Sequence, residues 1–212
     1  SDLCAHDLAA VKALFQAAQV IQFVKKPALA EMVAKRVEFL TAYQNAAYAA
    51  EYQAFVDKVR AAESTTGTTT KLTEAVARYL FKLMAYKDEY EVARLHTDAA
   101  FAAKIDGMFE GDYRVVHHLA PPALAKTNEK GELVKKRYGP WMRQAFSVLA
   151  KLKGLRGTAF DPFGRTEERR TERALIAEYR ACIDELLAGL TAEKLALAVE
   201  IARIPEGIRG YG

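Results

Sequence analysis

The sequence predicts a mainly α-helical, multi-helix, bundle-like domain with one small β-hairpin. Apolar residues recur at spacings of three and four through most of the chain. Glycines, prolines and Ser/Thr clusters fall between those periodic stretches. One interval, 113–139, switches to β-branched and aromatic residues around a turn.

The first periodic stretch, 3–24, places Leu8, Val11, Leu14, Phe15, Ala18, Ile21 and Val24 on one helical face. Pro27 suits the first turn of a second helix. From Leu29 the pattern runs through Val33, Val37, Leu40, Tyr43, Ala47, Tyr52, Phe55 and Val59 to Glu63. It predicts a helix about 50 Å long if unbroken, with coiled-coil-like or bundle pairing. "STTGTTT", 64–70, has no apolar period and predicts a flexible surface loop.

Leu72, Val76, Tyr79, Leu80, Leu83 and Met84 form the next stripe, which predicts a helix to Tyr90 continuing through Val92 and Leu95. Thr97 reads as the cap of a short helix ending near Phe109. "YRVVHHLA" and "ELVKKRYG" then predict two short strands on either side of the turn signal "TNEKGE". A lone hairpin is marginal in water, so this one should lie against the helices. Trp141, Met142, Phe146, Leu149 and Leu152 predict a helix stopped at Gly154. Thr166 caps a helix with Glu167 and Glu168 at its positive end. Its buried face is read as Leu175, Tyr179, Cys182, Ile183, Leu186 and Leu187. Gly189 ends it, Thr191 caps the last helix and Pro205 closes that one.

The chain has 212 residues, 51% hydrophobic and 27% charged, with a net charge of +4. That is the composition of a globular protein large enough to bury a core. No run reaches the roughly eighteen apolar residues of a membrane span, so no membrane partner is expected. The charge is uneven: residues 113–173 hold 14 Lys/Arg and 6 Asp/Glu. A basic island thus sits on a mildly acidic body. Two cysteines, Cys4 and Cys182, are too few for a disulfide framework or a four-cysteine metal site. They read as reduced, packed thiols, which fits the cytoplasm.

"KGLRGTAFDPFGRTEERR", 153–170, carries Gly154, Gly157 and Gly164 at spacings that match no phosphate-loop pattern. It reads as a connector: a glycine helix stop, an Asp161-Pro162 turn with Phe160 and Phe163 plugged onto the core, then a capped helix. If Phe160 is buried, its truncation should cost about 3 kcal/mol or more. The alternative is a ligand loop in which Arg156 and Arg165 face a phosphate or carboxylate.

His117 and His118 are adjacent on a strand, point to opposite faces and should not share a metal. No nucleophile–base pairing is visible, so no catalytic, cofactor-binding or metal residue is assigned. Lys126, Lys130, Lys135, Lys136 and Arg137 make the hairpin basic. They read either as a solvated arm or as a docking site for an anionic ligand or an acidic surface. Aromatics do not interleave with them, so nucleic acid is not expected. The candidate docking residues are Lys135, Lys136, Arg137, Arg156 and Arg165.

Five strings, "LTEAVARYLFKLMAYKDEYEVARL", "FEGDYRVVHHLAPPALAK", "YGPWM", "LAKLKGLRGTAFDPFGRTEERRTERALIAEY" and "IPEGIRGYG", resemble the C-terminal domain of long, fused indolepyruvate ferredoxin oxidoreductase-type proteins. The resemblance covers most of residues 35–212, leaving 1–34 as an N-terminal helix and linker region. It implies a parent 2-oxoacid:ferredoxin oxidoreductase that makes acyl-CoA and reduced ferredoxin. The parent would use thiamine diphosphate with magnesium, iron–sulfur clusters and coenzyme A as co-substrate, in a homo-oligomer. None of the matching strings is a catalytic motif. The thiamine fingerprint begins Gly-Asp-Gly, whereas Gly111-Asp112 continues into Tyr113. Cluster ligation takes four thiolates, and this chain has two. The expectation is a non-catalytic accessory domain that houses none of these cofactors and contacts other domains of the same parent chain. The alternative is a module that meets coenzyme A phosphates or acidic ferredoxin through the basic hairpin.

Overall fold

A computed structural model describes residues 28–111, 114–119 and 136–208. The chain divides into two compact units, Ser1–Met32 and Val33–Gly212. Predicted features in 3–24, Cys4, the hairpin turn and Lys126, Lys130 and Lys135 lie outside the described residues. No described helix is long and apolar enough to cross a membrane.

The described chain is mainly helical, as the periodicity predicts. In order come α1 (Leu29–Tyr43), α2 (Ala46–Ser64), α3 (Lys71–Met84), α4 (Glu89–Thr97) and α5 (Ala99–Asp106). Strands β1 (His117–Leu119) and β2 (Lys136–Tyr138) follow, then α6 (Met142–Lys151) and a 3-10 turn, Leu152–Leu155. The chain ends with α7 (Glu167–Ala188), α8 (Leu195–Ala202) and a 3-10 turn, Ile204–Gly207. β1 and β2 pair antiparallel, with His117 opposite Tyr138 and Leu119 opposite Lys136.

The predicted long helix from Leu29 to Glu63 is in fact two helices. Asn45 is extended and its side chain accepts from the Tyr48 amide at 2.9 Å, starting α2 afresh. The carbonyls that would have continued α1 are occupied from elsewhere: Tyr43 O by Arg156 Nη1, Ala42 O by Lys153 Nζ. The predicted run from Leu72 to Leu95 also breaks, at Ala85–Asp88. The Tyr48 hydroxyl donates to Met84 O and the Tyr43 hydroxyl to Tyr86 O, each at 2.9 Å. Asp88 then caps α4 through the Glu91 amide at 2.8 Å.

α3 is the central helix. Leu72, Val76, Leu80 and Met84 are fully enclosed where it meets α2, α7 and α8. The Tyr52 hydroxyl donates to Ala77 O at 2.9 Å, fixing the approach of α2 to α3. A buried carboxylate closes the loop between them. Glu63, 1% exposed at the end of α2, accepts from the Leu72 amide (2.9 Å), the Thr73 amide (2.8 Å) and the Thr73 hydroxyl (2.6 Å). These are free first-turn donors of α3, so a side chain from the preceding helix caps it. Lys82, on α3, donates to the carbonyls of Pro205, Glu206 and Ile208 and ties down the terminal turn. A second apolar cluster joins α4 to α6 through Ala93, Met142 and Phe146.

Three smaller expectations are corrected. Asp98, rather than Thr97, caps α5, through the Phe101 amide at 2.9 Å. α8 begins at Leu195 after a turn started by Thr191, so Thr191 is not its N-cap. Cys182 is a free, exposed thiol, so the inward face of α7 is carried by Tyr179 and Ile183.

Candidate functional site

The corner formed by 153–170 reads as a connector, with a ligand loop as the alternative. Its geometry is set by two buried charges. Arg156 follows the 3-10 turn and runs back into the fold, where it is 5% exposed. Its Nε and Nη2 meet the two carboxylate oxygens of Asp88 at 2.5 and 2.9 Å, and Nη1 donates to Tyr43 O at 2.7 Å. The guanidinium carbon Cζ lies over the Tyr43 ring, 3.7 Å from its centre. Burial acts against the charge on Arg156, but the Asp88 pair outweighs it and holds the guanidinium above its ordinary pKa. One side chain thus locks the end of α1 to the start of α4.

Asp161 organises the rest of the corner. Its Oδ2 accepts from the Gly157 amide (2.8 Å), and its Oδ1 from the Phe163 amide (3.1 Å) and the Tyr90 hydroxyl (3.2 Å). Burial pushes this carboxyl up, yet the donated hydrogen bonds carry it net below the usual carboxylate range. A Cβ on Gly164 would come within 2.4 Å of Asp161 Oδ2, so any larger residue there must displace that carboxylate. Gly157 sits at φ 74°, in the left-handed region. Arg173, on α7, donates to Gly164 O at 2.6 Å. Nearby, Arg169 Nη1 meets Glu172 at 2.5 Å and its Nε lies 3.7 Å from Glu89. Burial raises the carboxyls of Glu89 and Glu172, against the opposing pull of Arg169.

Of the candidate docking residues, Arg156 takes a different place from the expected one. It is enclosed and paired, so it faces Asp88 and not a ligand. Phe160 is also corrected: it is 82% exposed and does not plug the loop. Phe163 does that alone, edge-on to Tyr90 at 5.4 Å. Arg165 is exposed, with Nη2 3.3 Å from Ala159 O. Lys136 and Arg137 are exposed on β2. The described candidates are therefore not gathered into one pocket.

Two buried carboxylates escaped the sequence reading: Asp88, which anchors this corner, and Glu63, which caps α3. Asp88 had a signal: Glu91 follows three positions later, the spacing of a capping box. Glu63 had none, because a carboxylate at the end of a helix normally faces water.

Among the described residues no three His, Cys, Asp or Glu side chains stand together as a metal site. An apolar depression of about 280 Å³ lies among Val92, Leu95 and Phe101, with Lys87, His96 and Asp98 around it. A second solvent-facing feature is apolar and basic. Trp141, Val148 and Leu152 are exposed along α6, next to the charged strand β2.

No curated protein and no solved structure matches the chain. Residues 29–212 match the model of the family of unknown function DUF6537, and the chain belongs to that family.

Proposed function

We propose that this chain is a non-catalytic accessory domain of an indolepyruvate ferredoxin oxidoreductase-type protein, serving contacts between domains or subunits. The parent would decarboxylate 2-oxo acids oxidatively, using its own thiamine diphosphate, magnesium, iron–sulfur clusters and coenzyme A outside this segment. The five strings quoted above support the family assignment. One observation carries the role: the two buried charges of the glycine-rich corner, Arg156 and Asp161, are taken up by Asp88, Tyr90 and backbone, while apolar residues face outward on α6. A reaction centre presents polar groups to its substrate; a packing module turns them inward. The free Cys182 is consistent with a cytoplasmic setting. The test is activity of the purified chain with indolepyruvate, coenzyme A and a viologen dye. No reduction and no thiamine diphosphate binding are expected, and turnover by the chain alone would refute the reading.

A second reading has its own support, the exposure of Lys136 and Arg137 on β2. The basic hairpin would then meet coenzyme A phosphates or acidic ferredoxin, with steep salt dependence. Titration of either against the wild type and a Lys135→Ala/Lys136→Ala/Arg137→Ala variant decides it. Absence of binding at low salt ends it.

A further inference from the structure

We propose that the outward face of α6 is a docking site for an acidic amphipathic helix presented by a partner domain. The inference deepens the contact-module reading, and rests on it, by naming the partner's chemistry.

α6 has two apolar faces. Met142, Phe146 and Leu149 turn inward against α4. Trp141, Ala145, Val148 and Leu152 turn outward, and all four are exposed. Trp141 is 59%, Val148 61% and Leu152 44% accessible. Their spacings of four, three and four place them in a single row, the pattern that receives a second helix in a coiled-coil seam. The row runs about 16 Å, three turns, since Trp141 is helical in backbone and Leu152 opens the 3-10 turn that continues α6. The Trp141 ring stands edge-on to Tyr138 at 6.0 Å. A large aromatic held by a neighbour at one end of an apolar row is the form an interface anchor takes.

The charge along this stretch of the chain has one sign. From Lys136 to Phe160 the chain holds six Lys and Arg and no Asp or Glu. Lys136 and Arg137 are exposed just before the row, Lys151 is exposed at its far end, and Arg143 is exposed on the same helix. The Arg114 guanidinium lies over Gly139, beside Trp141. The ion pairs of the described residues use other basic groups, among them Lys58, Arg94, Arg156 and Arg169. Other exposed bases among the described residues sit beside acids, as in Arg60–Asp57 and Arg203–Glu206. A partner that fits this face carries a matching apolar row with carboxylates beside it. A second copy of the same face fits badly, because it would set Lys and Arg against Lys and Arg.

Trp141 is the single tryptophan of the chain, so its emission reports on this face directly. The experiment titrates the chain with a synthetic helical peptide of leucine and glutamate in heptad order, and with its lysine counterpart. The acidic peptide should shift Trp141 emission to the blue, with an affinity that falls at least about tenfold between low salt and about 0.5 M. Val148→Asp and Lys136→Glu/Arg137→Glu should each weaken it by about tenfold or more, with helix content unchanged in circular dichroism. The proposal is overturned by no shift with the acidic peptide, or by an equal shift with the basic one. A shift that tracks self-association of the chain, or one produced equally by anionic lipid vesicles, also overturns it. If Val148→Asp leaves association with the remainder of the parent protein intact, this face is not the contact. The accessory-domain reading then survives without it.

Discussion

Arg156 and Asp88, 68 residues apart in sequence, form a two-pronged ion pair at 2.5 and 2.9 Å in the interior. Asp88 also caps α4, and Arg156 also closes the end of α1. A carboxylate that does two jobs and a guanidinium that does two jobs make this pair the joint of the helical body. Arg156→Ala leaves Asp88 buried without its counter-charge and should cost about 3–5 kcal/mol. Arg156→Lys should restore only part of that, because an ammonium cannot reproduce the planar fork. Denaturant titration of both variants checks the order: wild type, then lysine, then alanine.

The two phenylalanines of the corner should behave oppositely to their chemical likeness. Phe160→Ala removes an exposed ring and should change stability by less than about 0.5 kcal/mol. Phe163→Ala removes the edge contact to Tyr90 and should cost about 1–3 kcal/mol. A large loss at Phe160 in the same titration would contradict the packing described for the loop.

Glycine substitutions separate close approach from simple chain reversal. Gly164→Ala sets a methyl against Asp161 Oδ2 and should destabilise by about 1–3 kcal/mol. Gly154→Ala meets nothing within 4 Å and sits at no positive φ, so it should be neutral or stabilising by about 0.4–1 kcal/mol. Thermal melts of the pair provide the comparison.

Acid should reveal the role of Asp161. Its carboxyl is held below the ordinary range in the folded chain, so the unfolded state binds its proton first as pH falls. The stabilisation it provides is complete above the unfolded value of about 4 and is lost below it. Asp161→Asn should therefore be clearly less stable than the wild type at neutral pH, and the gap should narrow below pH about 4. A gap independent of pH would assign its effect to shape alone.

Glu63→Ala should cost about 2–3 kcal/mol, because three donors at the start of α3 lose their acceptor inside the fold. Hydrogen exchange at the Leu72 and Thr73 amides should accelerate with it.

The sequence reading found the helices and the strand pair, because each leaves a local periodic mark. α6 and α7 were legible down to the Thr166 cap. The two helix breaks were only half legible: Asn45 and the Asp88–Glu91 spacing are local cap signals, but Arg156, which holds Tyr43 and Asp88 in place, lies more than sixty positions away. The same distance explains the misplacement of Arg156: a lone arginine in a glycine-rich stretch reads as exposed until Asp88 is brought to it. Cys182 and Phe160 failed for the opposite reason. Both are apolar enough to be buried, but the loop and the helix face carrying them turn to solvent. The solvent-facing row on α6 was partly visible, since Trp141 and Leu152 were counted as core, yet only packing shows which of its two stripes is occupied.

The central claim is that this chain packs and connects rather than reacts. Its most direct test is viologen reduction driven by indolepyruvate and coenzyme A, measured for the purified chain. The account predicts no reduction above the enzyme-free rate, at any level of added thiamine diphosphate and magnesium. Sustained reduction that scales with the concentration of this chain would contradict it.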